Sequence, residues 1–394
     1  MKVLQINSVC GYGSTGNIAV DLYRELKAQG HECCIAYGRG TAPSDVESHR
    51  IGSNLDVYMH GALSRLTDRH GFYSTKATKN FVKWMKDYNP DIIHLHNLHG
   101  YYINVEILFK ALQEMSKPVI WTLHDCWSFT GHCSHFAYVG CDKWKTQCKH
   151  CPQKKDYPAS FFLDNSYKNY LKKKEAFTSL DADKLAIVTP SEWLESLVKE
   201  SFLQKYDVKT IHNGIDIDVF HPSCKHVKER YGLSGKKIIL GVASEWTKTK
   251  GLQDFIKLSD MIDDDCQIVL IGHINGRVTT KPNITYIDRT SDREELVSWY
   301  TEADVFFNPT YQDTFPTVNL EAQACGTPVI TYDTGGSPEA VDRIHGYVFA
   351  QGDLEGVVNI LSNIKKTPDI ATPYEKSSQY KQYIDLYKLP GSKA

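Results

Sequence analysis

The sequence lacks any long hydrophobic run: nothing in its 394 residues approaches the ~20 apolar residues that a membrane-spanning helix needs. The apolar run at residues 2–6 is too short for a secretory signal, so we expect a cytoplasmic protein. The chain also has no excess of positive charge, because its 45 Lys and Arg are balanced by 47 Asp and Glu. That balance excludes a generally basic nucleic-acid-binding protein and leaves a globular chain of two or three domains.

The sequence also lacks an even number of cysteines. Eleven Cys argue against a closed disulfide framework, and five of them fall between Cys126 and Cys151. Four have the spacing C-x7-C-x6-C-x2-C within an irregular stretch, residues 126–158: Cys133, Cys141, Cys148 and Cys151. The C-x2-C pair suits half of a structural zinc site. Structural zinc, free buried thiols, and disulfides or redox chemistry all remain open from the sequence.

Strand-like and helix-like segments alternate along most of the chain, which predicts parallel sheets covered by helices. The alternation occurs in two sets separated near residues 212–222. We therefore predict two doubly wound α/β domains, residues 1–212 and 213–368, with the Cys-rich insertion in the first. The remaining residues, 369–394, are expected to form a helical tail that packs back on the N-terminal domain.

A glycine-rich segment, residues 11–16, follows the first predicted strand and precedes a helix predicted over residues 17–29. Its pattern is G-x-G-x-x-G, which allows the backbone to approach a phosphate at a helix N-terminus. No acidic residue stands at the end of the second strand, residues 37–39, so a dinucleotide site is disfavoured. An anion-binding loop is favoured, and a structural turn is the alternative.

The segment from Asn308 to Ala322 carries the most information. Asp313 lies in the loop after a buried strand, at the end where open α/β sheets bind ligands. Pro316 suits the first turn of the following helix, so the N–H groups of Thr317 and its neighbour are expected to face that edge. Glu321 lies one turn further and is expected to point toward the same place.

This segment resembles the Glu-x7-Glu signature of family-4 (group 1) retaining glycosyltransferases, with Asp313 and Glu321 in the two carboxylate positions. Four further segments are similar to motifs of that family: residues 90–96, 122–125, 212–216 and 334–339. The resemblance spans roughly residues 1–365. It implies the GT-B fold, in which two Rossmann-like domains face each other across a cleft.

The resemblance also implies residue roles. A nucleotide diphosphate sugar would lie in the cleft, with Glu321 accepting its ribose hydroxyls and Lys250 neutralising the diphosphate. Asp313 would hold the donor sugar, and His124 would lie near its anomeric centre. His124, Asp313 and Glu321 are the implied catalytic residues. The other implied donor-binding residues are Gly11, Gly13, Ser244, Arg289, Phe315, Pro316 and Thr317. The family needs no metal for catalysis, and retention is usually explained by a front-face displacement.

Two departures from the family pattern stand out. The family places an Arg five or six residues before its Lys, where this chain has Ser244 and Glu245. Lys248 or Arg289 is the expected substitute for the missing charge. Asp313 is one methylene shorter than Glu, which we expect to influence the choice of sugar.

The resemblance predicts a hexosyltransferase that uses a UDP- or GDP-sugar and a saccharide or polyprenyl-linked oligosaccharide acceptor, in surface polysaccharide biosynthesis. A group of lysines in the insertion favours either a solvated face or weak contact with the inner membrane face: Lys143, Lys145, Lys149, Lys154 and Lys155. The alternatives are an epimerase or phosphorylase on the same fold, or a non-catalytic sugar-nucleotide-binding module. No nucleic-acid partner is expected.

Overall fold

The computed structural model describes residues 1–276, 281–342, 344–366 and 374–388. Internal contacts divide the chain into two units. The N-terminal unit comprises Met1–His212 together with the described chain from Tyr380, and the C-terminal unit comprises Asn213–Gln379. The boundary between residues 212 and 213 lies at the predicted position.

The N-terminal unit is a seven-stranded sheet covered by helices. Its strands are β1 (Lys2–Val9), β2 (Glu32–Arg39), β3 (Ser48–Arg50), β4 (Ile92–Leu95), β5 (Val119–Thr122), β6 (Leu185–Thr189) and β7 (Asp207–Thr210). Its helices are α1 (Gly13–Ala28), α2 (Asn54–Thr67), α3 (Thr75–Tyr88), α4 (Val105–Met115), α5 (Ser166–Phe177) and α6 (Glu192–Glu200). The strand order is β3-β2-β1-β4-β5-β6-β7, and the paired strands run parallel.

Both faces of this sheet are buried, because successive side chains of a strand point to opposite faces. In β1, Leu4 and Ile6 join one hydrophobic cluster, whereas Val3 joins a second cluster on the other face. The Cys-rich insertion has only short 3-10 turns, at Trp127–Phe129, Ala137–Val139 and Lys143–Lys145, as its irregular sequence predicts.

The C-terminal unit repeats the architecture with six strands. Its elements are α7 (Val227–Arg230), β8 (Lys237–Trp246), α8 (Leu252–Leu258), β9 (Cys266–Ile274), β10 (Ile284–Ile287), α9 (Arg293–Glu302), β11 (Val305–Asn308), α10 (Thr317–Ala324), β12 (Val329–Tyr332), β13 (Tyr347–Phe349) and α11 (Leu354–Leu361). The strand order is β10-β9-β8-β11-β12-β13, again with parallel pairing.

The last helix, α12 (Lys376–Tyr387), begins in the C-terminal unit and ends in the N-terminal unit. Tyr383, Ile384 and Tyr387 are buried in the same cluster as Ile92 and Ile120 of the N-terminal sheet. The described part of the predicted tail is thus helical and packs on the N-terminal unit from Tyr380 onward, whereas residues 374–379 belong to the C-terminal unit. Residues 369–373 and 389–394 of that prediction lie outside the described residues.

The helix predicted to begin at Asn17 begins at Gly13 instead. The preceding turn closes early because the Gly11 N–H donates to the Gly16 carbonyl at 3.1 Å. The side-chain amide of Asn7 also donates to the Thr15 carbonyl at 3.1 Å, which fixes the first turn against β1. Across the described residues, each helix is either too short or too polar to cross a bilayer.

Candidate functional site

In each unit the strand order reverses at one pair of neighbouring strands, and the carboxyl ends of such a pair are where open α/β sheets bind ligands. In the C-terminal unit the pair is β8 and β11. Lys250 follows the end of β8, and Asp313 follows the end of β11. Two of the predicted donor-binding residues thus lie at the point that the topology favours.

Lys250 and Asp313 form an ion pair, with 2.8 Å between Nζ and Oδ2. Their two loops are joined by the Tyr311 N–H, which donates to the Thr249 carbonyl at 2.8 Å. Gly251 lets the loops approach: its φ is +75°, and a Cβ there would lie 2.3 Å from the Pro309 carbonyl oxygen. The backbone therefore positions this charge pair.

A third loop, after β12, also holds Asp313. The Gly336 N–H donates to the Asp313 carbonyl at 3.1 Å, and a Cβ on Gly335 would lie 2.0 Å from the same oxygen. On the other side, the Phe315 N–H donates to Asp313 Oδ1 at 3.2 Å. The glycine turn that resembles a family motif thus has a physical role, because it leaves room for the Asp313 backbone.

Glu321 lies one turn inside α10, which begins at Thr317 directly after Pro316. The Tyr300 hydroxyl donates to Glu321 Oε2 at 2.8 Å, and the Thr317 side chain also hydrogen-bonds to this carboxylate. Burial raises the pKa of Glu321, and the two hydrogen bonds and the charge of Arg293 offset only part of that rise. The first turn of α10 carries no acidic residue, so its positive dipole end is not neutralised from within.

The residues at the position of the missing Arg, and the two expected substitutes for it, are exposed. Ser244 is exposed, at the point where the pairing of β8 with β9 shifts register. The neighbouring Glu245 accepts a hydrogen bond from the Asn275 side chain. Arg289 is exposed and follows β10, which is separated from β8 by β9. Among the contacts of the described residues, none joins Lys248 or Arg289 to the Lys250–Asp313 pair.

In the N-terminal unit the strand order reverses between β1 and β4. The glycine loop follows β1, with Gly11 at φ +79° and Gly13 at φ +63°. A Cβ on Gly11 would lie 2.5 Å from the Pro43 ring, so this position requires glycine for space as well as for φ. His96 follows β4, and His124 follows the adjacent strand β5.

His124 belongs to a chain of histidines whose tautomers follow from their partners. The Gln5 side-chain amide donates to the Ala19 carbonyl at 3.0 Å, so Gln5 Oε1 accepts from His96 Nε2, also at 3.0 Å. His96 Nδ1 is then the acceptor for His124 Nε2, 3.2 Å away. Burial lowers the pKa of His124 to about 4 and that of His96 well below its usual value, so both rings are neutral.

One His–Asp pair in this unit is missing from the sequence prediction. His99 Nε2 lies 2.7 Å from Asp125 Oδ2, and the Tyr157 hydroxyl lies 2.9 Å from His99 Nδ1. Burial would raise the pKa of Asp125, but the adjacent His99 overcomes this and the pKa falls to about 2. The available signal was topological: His99 and Asp125 follow β4 and β5, which are neighbours in the sheet.

The four cysteines of the insertion line one cavity of about 10 Å³, a volume close to that of a single water molecule. The Cys133 and Cys151 thiols are hydrogen-bonded to each other, and Cys148 Sγ accepts from the Gly131 N–H at 3.2 Å. Within the described chain, no three His, Cys, Asp or Glu side chains are arranged as metal ligands. A zinc site is therefore not preformed, and structural zinc stays a prediction.

Two sequence models of known families match this chain. The model described as "Glycosyltransferase Family 4" matches residues 15–219, and the model described as "Glycosyl transferases group 1" matches residues 225–384. Together they cover both units.

Among curated proteins, the chain is 24% identical over 384 residues to "Putative colanic acid biosynthesis glycosyl transferase WcaC" of Escherichia coli K12, covering 91% of this chain and 90% of that protein. It is 24% identical to the "Uncharacterized 41.2 kDa protein in cps region" of Klebsiella pneumoniae, covering 88% and 94%. Among solved structures, Anabaena Alr3699/HepE in complex with UDP superimposes with a TM-score of 0.66 at 15% identity, covering 99% and 100% of the two chains.

Proposed function

The chain belongs to the group 1 (family 4) glycosyltransferases and has the GT-B fold, and on that premise we propose that it is a retaining hexosyltransferase. The donor is a UDP- or GDP-linked hexose, and the acceptor is a saccharide or a polyprenyl-linked oligosaccharide of surface polysaccharide biosynthesis. The names of the Escherichia and Klebsiella relatives support the pathway. The UDP complex of the Anabaena structure supports a nucleotide diphosphate donor.

The observation that carries the proposal is the Lys250–Asp313 pair beside α10 in the C-terminal unit. Lys250 offers a cation to the diphosphate, and the N-terminus of α10 offers backbone N–H groups to the same anion. Glu321 accepts the ribose hydroxyls, and Asp313 accepts a hydroxyl of the donor sugar. Lys250 is already paired with Asp313, so donor binding must turn its ammonium group toward the diphosphate.

In the proposed reaction the bond between the anomeric carbon and the diphosphate breaks, and the acceptor oxygen bonds to that carbon from the same face. The acceptor proton passes to the departing diphosphate oxygen, so the enzyme needs neither a covalent intermediate nor its own base. Its contribution is positioning and electrostatic stabilisation. On the acceptor side, the neutral His124 supplies a hydrogen-bonding ring without placing a second positive charge near the oxocarbenium-like carbon.

The test is nucleoside diphosphate release from UDP-, GDP-, ADP- and dTDP-sugars, with and without EDTA, for wild type, Glu321→Ala and Glu294→Ala. Glu294 is an exposed residue of α9 and serves as the matched control. We expect release from one donor, unchanged by EDTA, lost in Glu321→Ala and kept in Glu294→Ala.

Other products would overturn the proposal. Free sugar phosphate formed with inorganic phosphate would indicate a phosphorylase, and an isomerised nucleotide sugar would indicate an epimerase. Donor-induced thermal stabilisation with no turnover for any acceptor would indicate a binding module. Inversion at the anomeric carbon of the product, measured by NMR, would contradict retention.

A further inference from the structure

The outward face of α2 is apolar. It carries four large side chains that are 48–76% exposed: Leu55, Tyr58, Met59 and Leu66. Spacings of three, four and seven residues place them on one side of the helix. The opposite side buries only His60, Gly61 and Ser64. This polarity is the reverse of an ordinary surface helix, in which the large apolar residues face the core.

A loop tip extends this apolar face. Three consecutive residues, Phe161, Phe162 and Leu163, are 61%, 70% and 51% exposed. The Phe161 N–H donates to the carbonyl of Arg65 in the last turn of α2 at 2.8 Å. The helix face and the loop tip are therefore one contiguous surface of the N-terminal unit, which we call the α2–161 surface. Exposed apolar groups of this extent normally mark an interaction site.

The charge beside the α2–161 surface is positive. Residues 154–174 contain six Lys and two Asp. Lys173 is buried and Lys172 pairs with Glu106 at 2.8 Å, which leaves four Lys against two Asp, although the whole chain carries a net charge of −2. Lys154 Nζ donates to the Phe162 carbonyl at 3.3 Å, which places an ammonium group at the loop tip. Lys155 and Lys168 are exposed on either side of the tip in sequence. A second copy of the chain meeting this surface would bring these like charges together, whereas an anionic surface would neutralise them.

We propose that the α2–161 surface docks on an anionic phospholipid bilayer. Phe161, Phe162 and Leu163 enter the boundary between headgroups and acyl chains, and the neighbouring lysines contact lipid phosphates. Apolar insertion and electrostatic attraction are both needed, since either one alone gives weak, reversible binding. The proposal does not depend on glycosyl transfer, because it needs neither a donor nor an acceptor.

The test is cosedimentation of the full chain, without donor, with vesicles of phosphatidylglycerol and phosphatidylcholine or of phosphatidylcholine alone. We expect wild type to bind the anionic vesicles, and to bind them less at high salt. The variant Phe161→Ser/Phe162→Ser/Leu163→Ser should lose at least about tenfold in partitioning. The variant Lys155→Glu/Lys168→Glu should lose at least about 25-fold, since each basic residue near the bilayer is worth about fivefold.

Matched controls alter exposed residues elsewhere. Ile217→Ser/Met261→Ser/Ile344→Ser removes exposed apolar groups from the C-terminal unit, and Lys79→Glu/Lys83→Glu reverses exposed charges on α3. Both controls should bind vesicles as wild type does. All altered side chains are exposed, so each variant should keep the wild-type melting temperature.

Three results would overturn the proposal. The first is a wild type that sediments equally with neutral and anionic vesicles, or with neither. The second is a loop-tip variant that binds as well as its control. The third is a concentration-dependent dimer, seen by light scattering, that the loop-tip variant abolishes, because it would assign this surface to a second copy of the chain. Nucleoside diphosphate release with a soluble acceptor should remain unchanged in the loop-tip variant, which separates this test from that of the proposed function.

Discussion

The two units share one architecture, a parallel sheet whose strand order reverses once. They differ in the kind of side chain that lies where the order reverses. In the C-terminal unit the side chains there are charged: Lys250, Asp313 and, one turn into α10, Glu321. In the N-terminal unit most of them are imidazole rings, which burial keeps neutral at His96 and His124, and a carboxylate there, Asp125, lies 2.7 Å from His99. A diphosphate requires fixed charge, whereas a sugar requires hydrogen bonds. The residues that follow the strands, rather than the fold, decide which of these each sheet can bind.

The largest expected effect tests the charged side of this comparison, by removing the cation of the C-terminal unit. Lys250→Met should lower kcat/KM for nucleoside diphosphate release by about 10²–10³-fold, because the leaving group loses a charge partner aimed at it. Lys237→Met is the matched control, since Lys237 begins β8 and thus lies at the opposite edge of the same sheet. Near wild-type activity in Lys250→Met would mean that Lys248 or Arg289 supplies the charge.

The Cys-rich insertion is a second difference, because only the N-terminal unit has one. If zinc orders it, the purified protein should contain one zinc per chain by elemental analysis, and Cys148→Ser/Cys151→Ser should contain none. The double variant should lose at least about 3 kcal/mol of stability, which lowers the melting temperature by about 6–12 °C. Cys224→Ser, at an exposed thiol, is the control. Zinc-free wild type would leave the four cysteines as the free thiols that the structure shows.

Another buried histidine of the N-terminal unit, His94, has its own set of hydrogen bonds and can be tested separately. Thr122 donates to the Tyr383 hydroxyl and so accepts from His94 Nε2, which leaves His94 Nδ1 to accept from the Tyr387 hydroxyl at 2.7 Å. Tyr387→Phe should cost about 1–3 kcal/mol in the free energy of unfolding, because a buried acceptor loses its donor.

The pH profile of activity should stay where it is in Tyr387→Phe, since burial already lowers the pKa of His94 to about 3. Denaturant unfolding checks the stability, and Tyr167→Phe, at an exposed ring of α5, is the control. A shifted acidic limb in Tyr387→Phe would contradict a neutral His94.

Tyr300→Phe makes the same Tyr-to-Phe change in the C-terminal unit. Here we expect a smaller effect, and one on the pH profile of activity rather than on stability. The Tyr300 hydroxyl stabilises the ionised form of Glu321, so its removal raises a pKa that burial has already raised. Ribose binding needs the carboxylate, so the acidic limb of kcat/KM should move to higher pH, by up to about one unit. An unmoved limb would show that Glu321 does not titrate in the donor complex.

Local sequence predicted the C-terminal site better than the N-terminal one for a physical reason. Asp313, Pro316 and Glu321 lie within nine residues, so a strand, a loop and a helix start fix their relative positions. The partners of the histidines come from distant segments: Tyr387 is 293 residues from His94. No periodicity reports such a contact, because it depends on where α12 packs.

Periodicity also reports that a helix has an apolar face without reporting what covers it. For this reason the exposed face of α2 was not foreseeable, although the lysines of the insertion already suggested contact with anionic lipid. The early start of α1 at Gly13 has a similar cause, since the Asn7 side chain that fixes its first turn belongs to another element.

The course of α12 also affects how the chain folds during synthesis. The N-terminal unit is translated first, but Tyr383, Ile384 and Tyr387 complete one of its hydrophobic clusters. About 170 residues of the other unit leave the ribosome before them, which takes on the order of ten seconds or more at ordinary translation rates. Helix α1 already contributes to that cluster, but throughout that interval the apolar area that α12 covers is exposed on the nascent chain and is buried only in the finished protein.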